Sequence, residues 1–163
     1  PREKYDEIAV QKRLEKDKYL LLYSRRYSSN MQRYAEELAE KMGWKIVEIS
    51  LRATNKNKGH RMYYQAGVEE FLSLVKHAEY VVTNSFHGMI FAVQYERPFV
   101  IFSREQCNNK IDEILQCLGL SNRILVTGKE NFLETINYES VHQKISKARK
   151  ESLQFLREEL ELL

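Results

Sequence analysis

At 163 residues the chain has room for one domain of ordinary size, able to bury roughly two thirds of the surface its unfolded form exposes, and no second core is expected within 1–163. Its 26 basic and 23 acidic residues are mixed along the sequence and leave a formal charge of only +3, which excludes a strongly basic nucleic-acid surface; the nearest cluster, Lys56 to Arg61, reads as a solvated loop. No apolar run approaches the length of a membrane helix and no signal peptide opens the chain, so a cytoplasmic location is the default expectation.

The chain opens at Pro1, without an initiator methionine, on a charged leading segment 1–18, a pattern expected of a piece of a longer protein and also of a processed terminus. Tyr19 to Tyr23 (YLLLY) is the first predicted strand, short and apolar in the manner of a buried parallel strand. The following loop, Ser24 to Asn30, carries Arg25, Arg26 and three serines. Ala35, Leu38, Ala39 and Met42 then form a helical stripe ended by Gly43, and Lys45 to Ile49 (KIVEI) is the second strand. The stretch from Leu51 to Ala66 is too long for a simple loop, and Arg61 to Tyr64 suits a short edge strand. Val68, Phe71, Leu72 and Val75 give a second helical face, Tyr80 to Thr83 a strand, Gly88 to Tyr95 a helix, and Phe99 to Phe102 another strand. Ile111, Ile114, Leu115 and Leu118 form a helical face stopped by Gly119; Arg123 to Val126 is a last strand, and 138–163 a long terminal helix. The broken apolar stripe of that helix, Val141, Ile145, Leu153, Leu156, Leu160 and Leu163, is expected to be partly exposed. Cys107 and Cys117 lack a CxxC partner and are expected as free thiols, with Cys117 or its neighbours on the apolar face of their helix; no metal site is expected.

Strands alternating with helices predict an α/β fold: a doubly wound, mainly parallel sheet with helices on both faces. With the edge strand included, the order 3-2-1-4-5-6 places the loop after Tyr23 beside the one after Thr83, at the point where strand order reverses and ligands bind. The second loop is Asn84, Ser85, Phe86, His87 and Gly88, at a strand end that turns into a helix, where free amides and the positive helix end converge.

At this turn the chain resembles the polysaccharide pyruvyl transferases. The match is Ser85-Phe86-His87-Gly88 followed by Pro98-Phe99-Val100, and it extends more weakly from Gly67-Val68-Glu69-Glu70-Phe71 to Ile111, Leu118, Gly119 and Leu120. The resemblance implies the Rossmann-like C-terminal half of a two-domain, GT-B-like enzyme, whose N-terminal domain is a missing partner. Such an enzyme moves the enolpyruvyl unit of phosphoenolpyruvate onto hydroxyls of a saccharide or lipid-linked saccharide acceptor as a ketal, needs no cofactor beyond the donor, and takes most acceptor contacts from the other half. The implied catalytic acid or base is His87, histidine being the residue type that changes protonation near neutral pH. Ser85, Gly88 and Asn84 are the implied donor-binding residues. Some family members carry arginine where this chain has Ser85; Arg25 and Arg26 are placed by topology to replace it, their competing role being that of solvated surface groups. His60, His77 and His142 have no such company and read as structural.

Other functions fit the same layout less well or stay open beside it. A nucleotide-sugar-binding half of a GT-B glycosyltransferase wants an acidic residue early in the helix after its donor turn, and Met89 to Gln94 has none. A dinucleotide-binding module lacks G-x-G-x-x-G after Tyr23. A non-catalytic ligand-binding or interaction domain stays open. A Ser/His hydrolase is disfavoured because Ser85 and His87 lie two apart on one turn with no G-x-S-x-G elbow.

Overall fold

The computed structural model describes residues 2–50, 58–102, 108–125 and 135–161. In chain order its elements are α1 (Arg2–Ile8), β1 (Tyr19–Tyr23), α2 (Ser29–Met42), β2 (Lys45–Ile49), β3 (Arg61–Met62), α3 (Val68–Lys76), β4 (Tyr80–Thr83), α4 (Phe86–Gln94), β5 (Phe99–Phe102), α5 (Asn108–Leu118), β6 (Ile124–Leu125) and α6 (Tyr138–Glu161). The strands form one sheet in the order β3-β2-β1-β4-β5-β6, and every neighbouring pair is parallel. The fold is therefore the expected doubly wound α/β sheet, with β1 and β4 at its centre.

The pleat explains why the central strands read as continuous apolar runs. Tyr19 and Leu21 of β1, Val81 of β4 and Phe99 and Ile101 of β5 enter one core beneath α3, α4 and α5. Their neighbours Leu20, Leu22, Tyr80, Val82, Val100 and Phe102 enter the other, beneath Met31, Ala35 and Leu38 of α2. Leu21 stands in register with Val47 on one side and Val81 on the other and is fully buried, so it contributes on the order of 1.5–3 kcal/mol from burial alone. On α2, Ser28 caps the first turn by accepting from Met31 N, and Gly43 ends the helix at φ +66°, a left-handed position where any Cβ would be strained.

Several boundaries differ from the sequence expectations. The leading segment 1–18 holds α1, which docks by Tyr5 edge-on against Phe91 at 5.1 Å, and Ala9 is buried behind it. The edge strand is shorter than Arg61 to Tyr64, pairing only at Val47 and Glu48. Arg123 lies in a 3-10 turn and β6 starts at Ile124; Val126, Cys107, Leu163 and residues 51–57, with Lys56 among them, lie outside the described residues. Met42 and Val68 are exposed because they stand at helix ends, and Cys117 is exposed because Leu115 and Leu118 supply the buried side of α5. α6 is anchored by its first turns: Tyr138 Oη donates to Arg97 O at 2.5 Å, Val141 is buried, and Lys144 Nζ donates to Leu118 O at 3.1 Å. Farther along, Leu153, Phe155, Leu156 and Leu160 are exposed.

α4 starts at Phe86, two residues before Gly88, and packs closely under the sheet. A Cβ on Gly88 would collide with Thr83 Oγ1 and stand 2.9 Å from Tyr23 Cδ1. Gly88→Ala should therefore lower the melting temperature, although alanine is the better helix former by about 0.5–1 kcal/mol; overpacking costs of about 1–3 kcal/mol win. A variant that melts higher than the parent would contradict the close approach.

Candidate functional site

The carboxyl ends of β1 and β4 lie side by side, and two residues join them. Thr83, the last residue of β4, donates from Oγ1 to Tyr23 O at 2.7 Å and accepts the Ser85 amide at 3.0 Å. Asn84 accepts from Arg25 N at 3.0 Å and donates from its amide nitrogen to Arg26 O at 2.7 Å. Ser24 joins from the other side: its amide donates to Ile49 O at 3.2 Å and its hydroxyl to Arg26 O at 3.3 Å. The loop after β1 is thus held in place by its backbone, and both guanidiniums project from it as exposed groups.

The predicted residues fall into two neighbouring groups. Ser85 caps α4 and is buried; its carbonyl accepts from Met89 N at 3.0 Å, and among the described residues its hydroxyl makes no capping bond. His87 follows in the first turn, exposed, with its ring edge-on to Phe86 at 5.8 Å. Amides of a first helical turn have no intrahelical acceptor, so beyond the Ser85 amide, which Thr83 Oγ1 takes, the turn to buried Gly88 carries N–H groups and the positive helix end beside an imidazole. Asn84 is buried and its side chain is committed to the first loop. Arg25 and Arg26 line a cleft of about 770 Å³ with Ser24, Glu48, Ser50 and Tyr64; Ser85, His87 and Gly88 are not among the residues lining it.

Glu48 and Ser50 were not singled out from sequence, and His60 was read there as structural. Glu48, the fourth residue of β2, is 2% exposed and accepts from Ser50 Oγ at 2.5 Å and from His60 Nδ1 at 2.7 Å. The other imidazole nitrogen of His60 lies 3.6 Å from Glu36 Oε1, and Glu36 is also met by Gln32 and Lys58. Burial pushes the Glu36 carboxyl up, but the hydrogen bonds from Gln32 and Lys58 and the charges of Lys58 and His60 outweigh it and hold the group below the usual carboxylate range. The one signal in the sequence was the acidic residue inside the otherwise apolar alternation of KIVEI, since a carboxylate on a two-sided strand needs a partner. That the partner is His60 is set by the pairing of β2 with β3.

Asn84→Ala should cost about 1–3 kcal/mol, because it leaves the Arg25 amide without its side-chain partner and the Arg26 carbonyl with the Ser24 hydroxyl alone. It should also speed hydrogen exchange at the Arg25 amide; unchanged exchange would show that the loop holds without Asn84. A second expectation concerns acid. A carboxyl held below its ordinary value of 4.5 adds stability that is present above that value and lost as pH falls through the folded one. Glu36→Gln should therefore lower the urea midpoint at neutral pH and leave it unchanged in strong acid; an equal loss at both would refute the pairing.

The stretch of chain that builds the switch point matches a known family. A family model for polysaccharide pyruvyl transferase matches residues 2–106, and no curated protein matches the chain. The match begins well before Gly67 and ends before Ile111 to Leu120, and it takes in α1 through β5, including β1, β2, β4 and the Ser85 to Gly88 turn. As it covers more than half of the 163 residues, the chain belongs to the polysaccharide pyruvyl transferase family.

Proposed function

We propose that this chain is the C-terminal, donor-binding half of a transferase that builds a pyruvate ketal on a saccharide from phosphoenolpyruvate. The observation that carries the reading is the Ser85-Phe86-His87-Gly88 turn: it lies inside the matched stretch and at the carboxyl end of a central strand, where a helix N-terminus and an exposed imidazole come together. The reaction makes two C–O bonds at the substituted enol carbon, breaks the bond from that carbon to the phosphate oxygen, and adds a proton to the methylene carbon. Of the two protons released by the acceptor hydroxyls, one balances the new methyl group and one leaves with phosphate.

His87 serves as the proton carrier in this scheme, and the α4 amides meet the donor's anionic groups. Arg25 and Arg26 supply guanidinium contacts from the neighbouring loop, in place of the arginine that Ser85 replaces. Asn84 acts one step back, by holding the backbone that carries both arginines. A saccharide or lipid-linked saccharide accepts the group, in the cytoplasm, with a second domain completing the site.

Phosphoenolpyruvate at millimolar concentration should raise the melting temperature of the chain by mass action, and Arg25→Ala or Arg26→Ala should weaken binding by about 1.5–3 kcal/mol per lost charge-assisted bond. A larger shift from a nucleotide-sugar would favour a glycosyltransferase instead. In the two-domain enzyme, His87→Asn should leave donor binding near normal while turnover falls by about 10²- to 10⁴-fold. A His87→Ala variant that melts lower yet works normally would return His87 to a structural role.

A further inference from the structure

The outer part of α6 carries an apolar line that no described residue covers. The helix is anchored by Tyr138, Val141 and Lys144, all in its first turns. Beyond them Leu153, Leu156 and Leu160 are 44%, 53% and 68% exposed. Together with Ile145 and Arg149 they follow the spacing i, i+4, i+8, i+11 and i+15, which is one line along a helix, while Phe155 lies off it. The three leucines repeat at intervals of three and four, the spacing at which two helices interlock their side chains.

The charge pattern selects what covers this line. Residues 144–150 carry four basic groups, Lys144, Lys147, Arg149 and Lys150, and no acidic one; residues 151–160 carry Glu151, Glu158 and Glu159 against Arg157 alone. The helix therefore changes sign along its length, just before the leucines. A second copy laid antiparallel reverses that order, so each basic half meets an acidic one, and the same patch serves both sides of a two-fold axis. With the crossing between Leu153 and Leu156, Arg149 of one copy stands opposite Leu160 of the other, its stem on the leucine and its guanidinium beside Glu159. A parallel pair sets Arg149 against Arg149 within the seam, a like-charge contact. An anionic lipid surface, the other common partner of an amphipathic helix, would be opposed by Glu158 and Glu159.

We infer that the chain forms a two-fold dimer in which the outer turns of α6 pair antiparallel with those of a second copy. A pair of single helices buries less than the roughly 1,200 Å² at which stable interfaces of standard size begin, so the dimer forms and parts reversibly with concentration. The inference does not rest on the pyruvyl-transfer reading.

The test is sedimentation velocity on the chain from about 1 μM to about 1 mM, the range over which a weak specific dimer assembles. A reversible equilibrium between monomer and dimer is expected. Leu153→Ala with Leu156→Ala keeps good helix formers at exposed positions and should raise the dimer Kd at least about tenfold, each loss occurring twice across the two-fold axis. Arg149→Glu with Lys150→Glu, and separately Glu158→Lys with Glu159→Lys, should each dimerise more weakly than the parent. Mixed together, these two charge-reversed chains should associate more strongly than either does alone. A chain that stays monomeric throughout, or a dimer indifferent to the leucine pair, would overturn the inference. A leucine-dependent dimer whose charge-reversed forms associate as well as the parent would overturn the antiparallel arrangement. Leucine-dependent binding of the monomer to vesicles of anionic lipid would assign the face to a membrane instead. A longer form carrying a second domain, monomeric where this chain is dimeric, would assign it to that domain; either result sinks the dimer.

Discussion

The joint between β1 and β4 is the constraint on which the candidate site depends. These strands are far apart in the chain, and parallel pairing brings Tyr23 into register with Thr83. The side chains of Thr83 and Asn84 then bond across the joint to the backbone of Tyr23, Arg25 and Arg26. Each bond contributes only about 0.5–1.5 kcal/mol net, but an amide or carbonyl left unpaired in this part-buried joint costs up to about 1–3 kcal/mol. Gly88 belongs to the same constraint, since the space its side chain would need is taken by Thr83 and Tyr23. The rings of Tyr23, Phe71 and Phe91 also meet in sequence, tilted at 5.0 Å and edge-on at 5.5 Å, tying α3 and α4 to the end of β1.

Charge is divided across this joint. The α4 turn and the first loop offer helix-end amides and two guanidiniums, while the end of β2 offers a buried carboxylate backed by an imidazole. A buried pair such as Glu48 and His60 is weak support for stability, since desolvation offsets most of its attraction, yet removing one partner costs about 3–5 kcal/mol. A well-packed apolar pair would hold the sheet edge as well. What the polar pair adds is a directional link from β2 to His60, just before β3, which an apolar pair could not supply.

The outer part of α6 shows a different balance. Its first turns are anchored on Arg97 and Leu118, and once a helix is nucleated each further residue adds a bond at little cost. Local pairs such as Lys147 with Glu151 and Gln154 with Glu158 supply only tenths of a kcal/mol. That is enough to continue a helix whose Leu153, Leu156 and Leu160 remain exposed, so the apolar stripe records composition and not packing within the described residues.

Strand identity was legible because a strand buried on both faces must be apolar throughout: YLLLY, YVVT and FVIF could hardly be anything else, and KIVEI stood in the right place beside them. The helix stop at Gly43 was legible because only a left-handed residue fits there. The alternation of elements implied a doubly wound parallel sheet, and with the edge strand near Arg61 counted in, the order 3-2-1-4-5-6 brought the two loops together. α1 was not legible, because seven charged-rich residues carry too little periodicity and its docking depends on Phe91, distant in sequence. Nor was the use of Asn84 as the clamp of the first loop, or the union of Glu48, Ser50 and His60, since a polar side chain declares its type in sequence but its partner is chosen by tertiary contacts. Residue types and spacing thus determined the sheet and the Ser85 to Gly88 turn, whereas only the folded chain decided which polar groups are committed to one another, because those partners are distant in sequence.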